Sequence, residues 1–289
     1  MYKLILKSLM LLLAVHISTA VSAAEFKTKF ITASEPELSN PHDIDLSPTG
    51  KHLYVSDLGN DRVAVLDARS LALLGTIGEK DDLSAPHDVH IGPDGRLYVA
   101  DTGNDRVVIY EIDGVNGKRV GELAGGFHAP EGVFAQSENR VYVTGAGSGN
   151  IVVFENNKIA GEAKGLRAPH DVIADRKGSF WVADSANDRM VLMSKDLKTQ
   201  KVLEGDPYKF KGPRYQDMTD DGLLVVADKY THSIKVIGPD GELVTVIGDG
   251  KRGKGPDKFT TPEGVIIRGD DVWFADSGNN RIVRYRRVR

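Results

Sequence analysis

The sequence contains no cysteine. That excludes a disulfide framework and a lipid anchor on an N-terminal cysteine. Long apolar runs are also missing. The one clear run, Leu9 to Val15, is too short for a stable bilayer-spanning helix, and no second run follows. Positive charge is not in excess: the formal net charge is −4, which argues against nucleic acid as a partner. No P-loop, GxSxG, HExxH or EF-hand pattern occurs.

The short run has another meaning. Lys3 and Lys7 flank its start, and small residues follow to Val21-Ser22-Ala23-Ala24. This is the pattern of a secretory signal peptide over 1–23, with cleavage after Ala23 or Ala24. The expectation is a mature chain of 24–289 in the periplasm or outside the cell, without a membrane span and monomeric. Without disulfides such a chain rests on its core, and its length is ample for one.

What is present is a repeat. Ala85 to Tyr110 reads APHDVHIGPDGRLYVADTGNDRVVIY, three short β-prone runs joined by Pro/Asp/Gly turns. Its opening recurs as Pro41-His42-Asp43-Ile44, Pro86-His87-Asp88-Val89, Pro130-Glu131-Gly132-Val133, Pro169-His170-Asp171-Val172, a degenerate Tyr215-Gln216-Asp217-Met218, and Pro262-Glu263-Gly264-Val265. A period near 40–45 residues with several strands per unit is propeller spacing. The expected fold is all-β, a six-bladed β-propeller of four-stranded blades.

The last unit lacks a fourth strand, while Phe26 to Thr32 is an orphan strand. The N-terminal strand is therefore expected to close the last blade, leaving no inner edge at the seam. Lys27, Lys29, Arg284, Arg286, Arg287 and Arg289 would share its rim, as a solvated edge or an anionic partner's surface.

The second half of the unit is more uniform: Asp57 to Val63, Asp101 to Val107, Asp184 to Met190 and Asp276 to Ile282 follow a D-x-[GA]-N-[DN]-R pattern. Near-identical charged loops suit a structural role, because a short Asp or Asn side chain bonds backbone N–H groups of its own turn. The Gly- and Lys-rich link 248–261 should lie near the channel mouth, as a cap, as a contact for an anion or as a plain mobile loop.

Position two of each opening should stand at the channel mouth. Read by blade, that gives His42, His87, Glu131, His170, Gln216 and Glu263, followed by Asp43, Asp88, Gly132, Asp171, Asp217 and Gly264. Three of the eight histidines occupy this one position. Imidazoles and carboxylates converging on one mouth suit a divalent metal, zinc first and calcium second, held by His42, His87, His170, Glu131 and Glu263. Gln216, Asp43, Asp88, Asp171 and Asp217 are the candidate ligand-binding residues. The bland reading is that these are turn residues inherited by duplication.

The P-[HE]-[DG]-[VI] opening with its "LYVAD…NDRV" close resembles the NHL repeat, over Asn40 to Arg289. Among NHL-type propellers the ring is most similar to the peptidylglycine amidating lyase group, in its "PHDV" and "YVAD" wording at His42, His87 and His170. That resemblance implies a channel zinc held by histidines, a structural calcium, and Tyr and Arg at the reacting centre. No motif assigns the last two; Tyr215 and Arg214 are candidates by position. The histidines fall on blades one, two and four, so the alternating set is His87, His170 and Glu263. Three functions follow: binding of a metal, a small polar molecule or a peptide at the mouth; a metal-dependent lyase or hydrolase; or a protein-interaction scaffold on the loop face.

Overall fold

In the middle strands of each repeat, apolar residues occupy both faces, so these strands must be covered on both sides. Leu97–Asp101 and Phe180–Asp184 are buried at every residue. Fourth strands such as Lys158–Lys164 keep only part of their surface covered. A stack of sheets that share faces, with one edge turned outward, satisfies both patterns.

The computed structural model describes residues 26–35, 37–79 and 83–288; the expected signal peptide lies outside the described residues. Twenty-four strands, β1 to β24 in chain order, form six four-stranded antiparallel sheets among the described residues. Blades one to five are β2–β5, β6–β9, β10–β13, β14–β17 and β18–β21. Their innermost strands are β2 (Pro41–Leu46), β6 (Pro86–Ile91), β10 (Pro130–Ser137), β14 (Pro169–Ala174) and β18 (Pro213–Met218). Blade six has β22 (Pro262–Arg268) innermost. Each inner strand contacts the next, and β22 contacts β2, which closes the ring. The apolar core lies between blades: Tyr142 and Val153 of blade three pack with Phe180 and Val182 of blade four.

The seam closes as expected. β1 (Lys27–Ala33) pairs antiparallel with β24 (Arg281–Val288), in a register that sets Lys27 opposite Val288 and Lys29 opposite Arg286. The rim is less open than the sequence suggested. Arg287 is buried over the Phe26 ring and donates to both carboxylate oxygens of Asp221 at 2.8 Å. Arg284 donates to Asp271 at 2.9 Å and lies against Trp273. The 248–261 link contributes no residue to the cavity at the channel mouth. Its Phe259 is fully buried against Phe274 and Tyr285, anchoring the loop on blade six.

Blade five corrects the repeat register. Pro213 pairs with Asp228 as Pro41 pairs with Asp57. The fifth opening is therefore Pro213-Arg214-Tyr215-Gln216, two residues earlier than the sequence reading. Arg214 takes the histidine position, Tyr215 the aspartate position, and Gln216 stands level with Ile44 and Val89. The Gln-Asp pair mimics His-Asp in sequence and hid the true frame.

The uniform loops are clasps. Asp101 is fully buried: its Oδ1 accepts from the Ser84 amide at 2.7 Å, and its Oδ2 from Asn104 Nδ2 at 2.9 Å and Arg106 Nε at 2.7 Å. Asp57, Asp184 and Asp276 repeat the pattern with Arg62, Arg189 and Arg281. Blade five keeps Asp228 but pairs it with Lys235 and Thr231.

Candidate functional site at the channel mouth

Each clasp reaches forward into the next blade. A left-handed residue ends the loop, at Asp61, Asp105, Asp188, His232 and Asn280, with φ between 51° and 55°. Asp and Asn tolerate this region better than most residues. The Asp61 side chain accepts from the Ala85 amide at 2.7 Å, and Asn280 accepts from the Asn40 amide at 2.9 Å. The residues before the prolines themselves have positive φ: 51° at Asn40, 45° at Ala85 and 44° at Ala168. For alanine that backbone costs about 1 kcal/mol.

The strain turns a carbonyl toward the histidine ring. His42 Nδ1 faces the Asn40 carbonyl at 3.0 Å, His87 Nδ1 that of Ala85 at 2.9 Å, and His170 Nδ1 that of Ala168 at 2.9 Å. A carbonyl can only accept, so Nδ1 carries a proton in each ring and Nε2 is the edge turned away from that carbonyl. Asp43, Asp88 and Asp171, the nearest candidates in sequence for this task, do not perform it.

The three rings line one cavity of about 370 Å³ together with Glu131, Arg214, Lys229 and Tyr230. His42 and His87 meet edge to face with centroids 4.6 Å apart. His42 Nε2 is 3.8 Å from Glu263 Oε1, and His170 Nε2 pairs with Glu131 Oε2. Lys229 Nζ lies 2.5 Å from Glu263, and Arg214 bridges the two carboxylates at 3.5 Å from Glu263 and 4.0 Å from Glu131. Sequence reasoning put Gln216 at this mouth; the frame shift replaces it with Arg214. It missed Lys229 and Tyr230 altogether. Their signal was the departure of Asp228-Lys229-Tyr230 from the uniform loop.

Burial alone would raise the Glu263 carboxyl, but His42, Arg214 and Lys229 outweigh it and hold it below its usual range. Glu131 is likewise brought down to about 2 against its burial, chiefly by His170. Desolvation lowers His42 to about 4 and also lowers His87. The mouth thus combines two neutral imidazoles, His42 and His87, with the His170–Glu131 pair, the Glu263 carboxylate and the two cations Arg214 and Lys229. Among the described residues no three histidine or acidic side chains are already set as a metal cage.

Tyr215 closes the channel beneath the ring. It is 1% exposed and donates across the channel to the Glu131 carbonyl at 2.9 Å. Burial pushes its phenol well above the ordinary range. Gly132 and Gly264 occupy the same level. A Cβ on Gly132 would stand 2.3 Å from the His170 carbonyl, and one on Gly264 2.6 Å from that of His42, so only glycine fits.

The remaining candidates are brought together elsewhere. Asp43, Asp88, Asp171, Gln216 and Asp217 line a separate cavity that begins at the Tyr215 level and runs along the inner strands away from the mouth.

A family model described as "Lactonase, 7-bladed beta-propeller" matches residues 14–73 and 67–194. The chain belongs to this lactonase-type propeller family. This member closes its ring with six blades. No curated protein matches the sequence. Among solved structures it is similar to virginiamycin B lyase from Staphylococcus aureus, at 15% identity and a TM-score of 0.65, covering 91% of this chain and all of that one. It is also similar to an auxiliary nutrient binding protein from Bacteroides ovatus, at 12% identity and a TM-score of 0.70, over 91% and 73% of the two chains. A third is hydrazine synthase from Kuenenia stuttgartiensis, at 17% identity and a TM-score of 0.64, over 86% and 77%. At these identities the likeness establishes the propeller fold. Among the described residues no helix is long and apolar enough to cross a membrane.

Proposed function

We propose that this lactonase-type propeller is an exported binding protein whose channel mouth takes a small polar ligand or peptide through a divalent metal ion. The observation that carries this is the shared pose of His42, His87 and His170. Each ring is locked by a backbone carbonyl on Nδ1 and turns Nε2 toward the cavity. Backbone-fixed imidazoles are what metal ligation requires. His42, His87 and His170 would hold the ion, with Glu131 and Glu263 as carboxylate donors; zinc suits this set better than calcium, because imidazole dominates it. His170 and Glu131, which pair with each other, would have to part and give up any proton they share in order to hold the ion. Arg214, Lys229 and Tyr230 then remain to orient an anionic or polar group. The export assignment rests on the N-terminal segment of the sequence.

A second reading, a metal-dependent lyase or hydrolase, draws on the family description and on the His170–Glu131 pair, in which a carboxylate orients an imidazole suited to proton transfer. A bound metal would supply Lewis acidity to such a reaction.

The test is metal analysis of purified protein, followed by zinc titration of the metal-stripped protein. Zinc should bind at one equivalent, and His170→Ala should weaken it at least tenfold while the fold persists. Metal-free protein that refuses zinc, cobalt and calcium would sink the reading.

A further inference from the structure

The cavity that begins at the Tyr215 level has the opposite character. It measures about 330 Å³, within the range of small-molecule sites of roughly 300–1,000 Å³. Its polar lining is mainly acidic, and its walls are apolar, from Ile44, Val89, Phe134, Ile173 and Met218.

Several of these acids also have structural work. Asp88 Oδ2 accepts from the Val133 amide at 2.5 Å, and Asp171 Oδ2 from the Gln216 amide at 3.0 Å. Each thus latches one inner strand to the next. Asp43 and Asp88 also hydrogen-bond each other through their side chains; together these bonds still leave carboxyl oxygens with acceptor capacity. The basic groups at this end are engaged with other acids. Arg268 lies 3.8 Å from Asp45 and 3.7 Å from Asp217, His90 lies 3.6 Å from Asp45, and Arg176 lies 3.5 Å from Asp220. Among the described residues no ion pair reaches Asp43, Asp88 or Asp171.

An independent observation points the same way. Gln216, 4% exposed, lines the same cavity. Its Nε2 donates to the Trp181 carbonyl at 2.9 Å, while its buried Oε1 has no hydrogen-bond donor. A buried acceptor without a donor, beside buried acids without an ion-pair partner, is a site short of N–H donors. A bare metal ion would leave the apolar walls without a use; an alkylammonium ion uses both.

We propose that this cavity binds a small primary ammonium ion with an apolar body, its NH₃⁺ group set against Asp43, Asp88 and Gln216 and its carbon skeleton against Phe134, Ile173 and Met218. The site is separate from the histidine mouth and stands or falls independently of the function proposed there.

The probe is isobutylamine hydrochloride, titrated by calorimetry or ligand-observed NMR in an amine-free buffer. Saturable binding is expected. Isobutanol, with the same skeleton and no charge, should bind at least tenfold more weakly. Asp43→Asn should weaken the amine at least tenfold. Met218→Lys, which tethers an ammonium in the cavity without touching a latch, should abolish its binding; thermal unfolding shows that each variant is folded. His170→Ala at the other mouth should leave the amine affinity unchanged. Equal affinity for amine and alcohol, no saturation by either, undiminished binding in a folded variant, or saturable binding of calcium chloride in place of the amine would each overturn the proposal.

Discussion

The two halves of one repeat behave differently. The loop half is nearly the same in blades one, two, four and six: a buried Asp, an Asn three residues on, an Arg five on. The opening half varies, offering His, His, Glu, His, Arg and Glu around the mouth. Uniformity marks what every blade needs in order to stand against its neighbour. Variation marks the channel mouth, where six side chains of three kinds converge. Blade five shows the rule from the other side. It departs from the pattern in both halves, and Arg214, Lys229 and Tyr230 all enter the mouth.

If the contrast holds, the largest effect on stability should come from the uniform half. Asp184→Ala removes a fully buried carboxylate that accepts from Arg167, Asn187 and Arg189. Chemical denaturation should show a loss of about 3–5 kcal/mol, as for breaking a buried, bonded charge.

The next effect sharpens the contrast through pH. His42 takes its proton at about 4 in the folded chain against 6.5 unfolded. A depressed native value means stability that is full above pH 6.5 and is lost as pH falls toward 4. Wild type and His42→Gln should therefore differ in pH dependence by about 2 kcal/mol between pH 7 and 4.5. Asp88 and Asp217, which burial raises to about 6, act oppositely but equally in both proteins and drop out of the difference. Parallel stability curves for the two proteins would show that the ring is not desolvated as described. The same depression moves the acid limit of metal binding at His42 from about 6.5, the value of a free imidazole, toward 4.

A smaller effect is expected at the partly exposed end of a clasp. Arg189 is 28% exposed in its side chain, so Arg189→Ala should cost about 1–2 kcal/mol, discounted for solvent screening.

Much of this was legible in the sequence. Five openings, the clasps and the seam strand follow from residue order, because period and turn chemistry are local. The fifth opening was not. Its frame is fixed by Pro213 pairing with Asp228 across the sheet, while the letters Gln-Asp imitate His-Asp. The division of the ring residues was hidden too. His42 and Asp43 are neighbours in sequence, yet they stand at successive levels along the channel and line different cavities. That Asn40, Ala85 and Ala168 orient the imidazoles depends on backbone angles, which composition does not encode.

The most direct test of the division of labour is a paired measurement on Arg106→Ala and His170→Ala, with thermal unfolding and zinc titration made on the same samples. Arg106→Ala should lower the melting temperature by several degrees, as expected for a loss near 1–2 kcal/mol in a domain of this size, and should leave zinc affinity within about twofold. His170→Ala should lose at least tenfold in zinc affinity with a melting temperature close to wild type. The reverse pattern, with binding lost in Arg106→Ala and only stability lost in His170→Ala, would contradict the account.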